Sequence, residues 1–390
     1  MNPARSACIV GIGESAFTRR GAQSDRGEWA LACEAAARAA ADAGVDVHRI
    51  DGLCSFSADG TLPWLMQQAL GIDHLRWASM VWGGGGTGSC GALAHATAAI
   101  ESGQAEMVLV MRSIVQRAGT RYGEAGGFSE IPQFDLLAPF GMLMPSSMIA
   151  PTMRRYIHDF GAKPEHFAEV ALTCRANAQR NPRAVTFGRP LTLADYLASR
   201  MIADPLRLYD CCQESDGACA VLVTTLERAR DLRHPPVRVL AAAQGGDAQW
   251  HAATMGTHCM PAATYGAGNA AQLARDLYAR AGVSHADMNF AQIYDHFSGA
   301  VLMTLENFGF CGLGEAGPFV AQGHIRAGGS LPLNTAGGLL SEAYIHGMNL
   351  ITEAVRQLRG ESTAQVPGAR IGLVTGGLAS TPTSAAILAI

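Results

Sequence analysis

The chain alternates short apolar runs with longer stretches of helical period. Ala7 to Ile12 is a continuous apolar run ending at Gly13-Glu14-Ser15, which predicts a strand buried on both faces. Trp29 to Ala43 is an alanine-rich amphipathic helix, and Ile50 to Phe56 reads as a second strand. Gly91 to Ser102 is helical again, and Met107 to Met111 is a strand. From Arg117 to Ala203 strand patterns are few and prolines recur (Pro132, Pro139, Pro145). About 117–203 is therefore expected to be an inserted cap of helices and loops. The turn Cys211 to Gly217 leads into the strand Ala218 to Thr224. Near Pro235 the pattern restarts. Strand Val237 to Ala243, helix Gly268 to Ala281, strand Met288 to Tyr294 and helix Ser298 to Phe308 follow. Asn334 to Gly338 then enters a helix over Ser341 to Gln357, and Ile371 to Thr375 and Ala385 to Ile390 close the chain as strands. Such alternation predicts an α/β fold with parallel sheets, and the restart predicts two similar halves, 1–235 and 236–390.

Composition narrows the function. At 390 residues the chain can bury a large core. Only 16% of residues are charged and 48% are hydrophobic, as in close-packed elements with an extensive subunit interface. A net charge of −4 without any basic run argues against a nucleic-acid partner. The apolar run after Met1-Asn2-Pro3-Ala4-Arg5 is too short for a signal peptide or a membrane span, so a cytoplasmic location away from membranes is expected. The ten cysteines show no CxxC pair, which favours reduced, buried thiols over disulfides or a structural zinc. Lys163 is the only lysine and lies in the helix-start turn Gly161 to Glu165. A Schiff base needs a desolvated lysine, so that class of aldolase chemistry is excluded.

The stretch Val81-Trp82-Gly83-Gly84-Gly85-Gly86-Thr87-Gly88-Ser89-Cys90 runs into a helix. A glycine run admits close approach of a bound group, and the helix start aims N–H groups and a positive dipole end at it. An acyl-transfer enzyme would seat its nucleophile here. This chain has glycine at that place, and Cys90 follows four residues after Gly86, roughly 6 Å further along a helix. Gly11 and Gly13 lack the third glycine and the acidic residue of a nucleotide loop, which leaves a plain strand-to-helix turn. Asp295, His296 and His346 would be a conceivable metal set, but adjacent strand residues face opposite ways, so no metal is expected. His258, beside Cys259 and Met260, either borders a pocket or is structural.

The order of Val10-Gly11-Ile12-Gly13, the glycine loop with its helix, Ser215-Asp216-Gly217-Ala218 and Ile293-Tyr294-Asp295-His296-Phe297-Ser298 resembles the thiolase superfamily. Gly337-Gly338-Leu339-Leu340-Ser341 and Thr375-Gly376-Gly377 extend the match over nearly the whole chain, especially to the sterol-carrier-protein branch. The resemblance implies a five-layered α-β-α-β-α fold of two duplicated halves, and a homodimer. It also places the family's nucleophilic cysteine on Gly86 and its C-terminal cysteine near Val374. The Asn or His of its oxyanion motif falls on Tyr294, and the His of its Gly-His-Pro motif on Tyr344. That replacement pattern is similar to the thiolase-like steroid side-chain-cleaving aldolases, which work with a small zinc-ribbon/OB-fold protein. Their reaction is retro-aldol cleavage of a β-hydroxyacyl-CoA, which needs an enolate but no thiolate. Tyr294 and Tyr344 are the implied acid and base, with His296, His346 and Asp295 around them. Gly86, Ser89, Gly338, Ser341 and Gly377 are the implied acyl-CoA contacts, with coenzyme A as part of the substrate and no bound cofactor. Two alternatives remain: an acyltransferase using Cys90, or a non-catalytic acyl-CoA or lipid carrier.

Overall fold

The structure is a computed structural model and describes residues 3–23, 25–56, 60–81, 85–116, 138–247, 264–378 and 383–390. The expectations placed on Trp82 to Gly84, on the first part of the cap and on His258 to Met260 lie outside the described residues.

The first half contains β1 (Ala7–Glu14), β2 (Thr18–Arg19), α1 (Glu28–Ala43), β3 (Gly52–Phe56), α2 (Pro63–Leu70), β4 (Trp77–Val81), α3 (Gly88–Ser102) and β5 (Met107–Ile114). It continues with α4 (Pro145–Phe160), α5 (Pro164–Ala178), α6 (Leu193–Ala198), the hairpin β6 (Met201–Ala203) and β7 (Leu206–Arg207), β8 (Ser215–Thr225) and α7 (Leu226–Ala229). Then follow β9 (Val237–Gly245), α8 (Ala271–Ala281), β10 (Phe290–Gln292), α9 (Ser298–Asn307) and α10 (Ala316–Ala321). The chain closes with α11 (Gly338–Ser341), α12 (Met348–Arg359), β11 (Ile371–Gly376) and β12 (Thr383–Ala389).

Nine strands form one order, β10-β11-β12-β9-β1-β8-β5-β3-β4, with β2 beside β8. β8 is antiparallel to β1 and β5, and β5 and β4 flank β3 in parallel. Likewise β12 is antiparallel to β9 and β11, and β11 is parallel to β10. The same order and sense therefore occur twice, joined where Cys8 and Ile9 of β1 meet Arg238 and Val237 of β9. Strand alternation sends Val108 and Val110 of β5, Cys219 and Val221 of β8 and Val374 of β11 towards a core shared with α3 and α12. Leu109, Ala220 and Leu222 turn outward beneath α1, and Leu373 and Ala385 turn outward beneath α8 and α9. The layers run α-β-α-β-α.

Local departures have local causes. Gly11 and Gly13 lie inside β1 rather than in a turn. A Cβ at Gly11 would stand 2.1 Å from the Ala39 carbonyl oxygen, and one at Gly13 2.0 Å from that of Ala35, so both glycines let α1 settle on the strand. The expected strand Met288 to Tyr294 shortens to β10, because the Asn334 side chain takes both backbone groups of Ile293, at 2.7 and 2.9 Å. The expected helix Ser341 to Gln357 is broken into α11 and α12, with φ +48° at His346 and +80° at Gly347. Among the described residues, no helix is long and apolar enough to cross a membrane.

Candidate active site

Two chain reversals deliver the tyrosines to the central layer. Phe290 and Tyr294 share the face turned to that layer, whereas Ala291 and Ile293 face outward. Beyond β10 the backbone is held by side chains: Asn334 grips Ile293, and the Tyr294 N–H donates to Thr375 Oγ1 at 3.0 Å. Tyr344 lies in the break between α11 and α12, not on the second turn of a helix as its spacing predicts. There its N–H donates to Ser215 Oγ at 2.6 Å. Ser215, first residue of β8, thus fixes a residue 129 positions away. The break brings the two phenols together, their hydroxyls hydrogen-bonded at 3.0 Å.

Gly86 explains itself against this pair. A Cβ there would fall 1.7 Å from Tyr294 Cζ and 2.0 Å from Tyr294 Oη. Tyr294 therefore occupies the space into which a side chain at position 86 would project, so the glycine is filled from the opposite half rather than left vacant. Gly347 is small for the same reason, since its Cβ would meet Tyr294 Cδ2 at 2.9 Å and Ser89 Oγ at 3.1 Å. The Gly86 carbonyl accepts from Ser89 Oγ at 3.0 Å and from the Gly377 N–H at 3.2 Å. Three of the five expected acyl-CoA contacts are thereby assembled at the start of α3.

The histidines flank the tyrosines. His296 packs on Tyr294 with ring centroids 5.0 Å apart, and His346 meets Tyr344 edge-on at 4.9 Å. Burial lowers His296 to about 4, against a smaller opposing pull from the Tyr294 backbone. His346 is held well below the usual imidazole range by burial, and then by the guanidinium of Arg112 beside it. Both rings are therefore neutral at pH 7, and neither supplies the positive charge that would draw a phenol's pKa down. Arg112 brings a guanidinium beside His346. It is the one charged residue of the buried β5, follows Val108 and Val110 on the face towards the central layer, and donates from Nε to His346 Nδ1 at 3.0 Å. Sequence reasoning missed it, although a lone arginine in a buried strand was the available signal.

The remaining expected residues lie apart from the phenols. Asp295 faces outward and accepts from the N–H groups of Leu339 and Leu340 at 2.8 and 3.1 Å and from Cys174 Sγ at 3.4 Å. Burial raises it to about 6 despite those bonds. Gly338 has φ +61°, and its Cβ would stand 2.4 Å from Asp295 Oδ2, while Ser341 Oγ accepts from Arg175 Nε at 3.0 Å. These three belong to the α11 turn. Cys90 is fully buried, its thiol directed at the Val374 carbonyl at 3.6 Å, and burial pushes it up to about 12.

Residues 246–389 match the family described as Thiolase C-terminal domain-like. The chain is 42% identical over 389 residues to the steroid side-chain-cleaving aldolase of Thermomonospora curvata, covering 98% of this chain and 97% of that one. It is also 42% identical to the 17-hydroxy-3-oxo-4-pregnene-20-carboxyl-CoA lyase of Mycobacterium tuberculosis, over 98% of each. The solved Ltp2-ChsH2(DUF35) aldolase superposes with a TM-score of 0.93 at 41% identity, over 100% of this chain and 99% of that one. On these matches the chain belongs to the thiolase superfamily, among its side-chain-cleaving aldolases, and is a lyase.

Proposed function

We propose that this lyase cleaves a β-hydroxyacyl-CoA bearing a bulky, steroid-like side chain by a retro-aldol reaction, with the linked phenols of Tyr294 and Tyr344 moving the proton. The observation that carries this reading is the 3.0 Å hydrogen bond between the two hydroxyls, set where Gly86 removes a nucleophile. The reaction is proton-neutral. One tyrosine, as its phenolate, takes the β-hydroxyl proton as the Cα–Cβ bond breaks, giving a ketone or aldehyde and a thioester enolate. The other, a neutral phenol, returns its proton to Cα, and transfer of the captured proton along the hydrogen bond between them restores the phenolate and the phenol. No acyl-enzyme is needed. Cys90 is a poor alternative nucleophile, since the reactive form is the thiolate and its buried thiol stands far from ionising. The non-catalytic reading has no support of this kind. Asp295 serves in this account by tying α11 to the Tyr294 loop.

The CoA thioester and the steroid nucleus follow from similarity to the steroid side-chain-cleaving aldolase and the 17-hydroxy-3-oxo-4-pregnene-20-carboxyl-CoA lyase. A partner protein is favoured by the similarity to the Ltp2-ChsH2(DUF35) aldolase, and the sequence resemblance implies a small zinc-ribbon/OB-fold protein in that place. The sheet ends at β4, which leads into the glycine loop, and a second copy paired along that edge would make a homodimer that braces the site. A boundary near Pro235 between the halves and a cytoplasmic setting complete the proposal, the latter favoured by the free thiols of the described cysteines.

Tyr294→Phe and Tyr344→Phe, each purified with the partner protein, are expected to lose cleavage by about 10²–10⁴-fold, the range of lost acid–base catalysis, with unchanged circular dichroism. Release of acyl-CoA and ketone, followed by mass spectrometry, is the measurement. Full activity in both variants removes the reading.

A further inference from the structure

We propose that Arg112 sets the tautomer of His346, making its Nε2–H a fixed hydrogen-bond donor beside Gly85. The argument begins with the donor inventory of arginine. A guanidinium has five N–H donors and no acceptor, so the group that receives its Nε–H must offer a lone pair. Here that group is His346 Nδ1, at 3.0 Å. A neutral imidazole with a lone pair on Nδ1 carries its proton on Nε2. Burial and the adjacent guanidinium both disfavour the doubly protonated ring, so the neutral donor form persists.

The position of that nitrogen gives the tautomer its meaning. Of the His346 atoms, Nε2 lies nearest Gly85, 3.6 Å from where a Cβ on that residue would stand. The backbone is bent to place it: φ is +48° at His346, a left-handed conformation that a non-glycine residue adopts only under tertiary constraint. The ring also packs edge-on against Tyr344. Arg112 is held in turn by the Phe56 ring, its Cζ 5.4 Å from the centroid, and by β5 between β3 and β8. The chain thus spends a buried arginine on orienting one imidazole. Resting on the retro-aldol reading, the Nε2–H serves the thioester oxygen as it gains enolate charge. Arg112 is then a positioning residue that never touches the substrate.

Long-range ¹H–¹⁵N correlation on protein labelled with ¹⁵N-histidine reads the tautomer directly at pH 7, with His346→Asn identifying the resonance. In the wild type His346 is expected to be neutral with its proton on Nε2. Arg112→Met is expected to release the ring into a mixture of tautomers while the other histidine signals stay in place. The same variant is expected to lower kcat about a hundredfold with little change in KM, as loss of an enolate donor should. Arg112→Lys keeps a donor and a charge and is expected to recover much of both signals. A proton on Nδ1 in the wild type overturns the proposal, as does a His346 signal indifferent to Arg112→Met. Should Arg112→Met fail to fold, the wild-type and Arg112→Lys spectra decide. The spectrum needs no turnover, so loss of the retro-aldol reading through active tyrosine variants would leave this result standing.

Discussion

Gly86 and Tyr294 are one structural unit although 208 positions separate them. The phenol of one fills the side-chain space of the other, so neither can be altered alone without consequence. Gly86→Ala is expected to push the Tyr294 ring aside, at about 1–3 kcal/mol for an overpacked core, and to reduce cleavage sharply. Adding Tyr294→Ala makes room for the new methyl, so the two substitutions should cost less stability together than the sum of their separate costs, with no activity recovered. Urea midpoints and turnover of the two single variants and the double variant test the coupling; a Gly86→Ala enzyme as stable and active as the wild type would refute it. Gly86 and both tyrosines were legible in the sequence, because the family register marks each of them as a departure. What register cannot show is that one departure fills another. Arg112 was less legible still: its partner stands 234 positions away, and only the strand alternation after Val108 and Val110 pointed it inward.

At the scale of elements, the break between α11 and α12 does the positioning. The helical spacing of Ser341 to Gln357 runs on through it, so periodicity alone predicts one helix. Gly347 was the local warning, a glycine inside a helical pattern. Tertiary bonds decide the matter: Ser215 takes the Tyr344 N–H, Val185 donates to the Glu342 carbonyl at 2.8 Å, and Asp295 accepts from the first turn of α11. Glu342 sits fully buried in this break, hydrogen-bonded by Asn181 at 2.8 Å and Asn349 at 3.0 Å. Burial, then the carboxylates of Glu14 and Glu353, push it up to about 8 from 4.5. A folded-state pKa above the unfolded one means the native state binds the proton more tightly. The stability so gained is complete below about 4.5 and is lost as pH rises through about 8. Asp295, raised to about 6, adds a similar slope at lower pH in any variant that keeps it. Glu342→Gln is therefore expected to flatten the stability profile between pH 5 and 8 and to exceed the wild type at the alkaline end. Urea midpoints at four pH values measure this, and parallel profiles for the two proteins would rule it out.

The strand order occurs twice along the chain, yet the repeat does not describe two independent bodies. α3, from the first half, packs on β9, β11 and β12 of the second, while α12 packs on β1 and β8 of the first as well as on β10 and β11. Polar bonds cross in the same layer. Arg356 of α12 pairs with Glu14 of β1 at 2.6 Å, and Arg359 pairs with Asp42 at 2.8 Å and donates to the Val10 carbonyl at 2.9 Å. The site inherits this arrangement, since Gly86, Ser89 and Arg112 come from one half and Tyr294, Tyr344 and His346 from the other. Splitting the chain would expose the central core on both pieces and leave Glu14 and Arg356 without their counter-ions, at a large cost for groups this deeply buried. Fragments 1–235 and 236–390 expressed separately are thus expected to lack native near-ultraviolet circular dichroism, and to regain it together when co-expressed. In calorimetry the intact chain should melt in one transition, with calorimetric and van't Hoff enthalpies equal. Two resolved transitions, or a first-half fragment with a native spectrum of its own, would show that the duplicated halves still fold as separate domains. The tyrosine pair would then be a contact made after folding rather than part of the core that drives it.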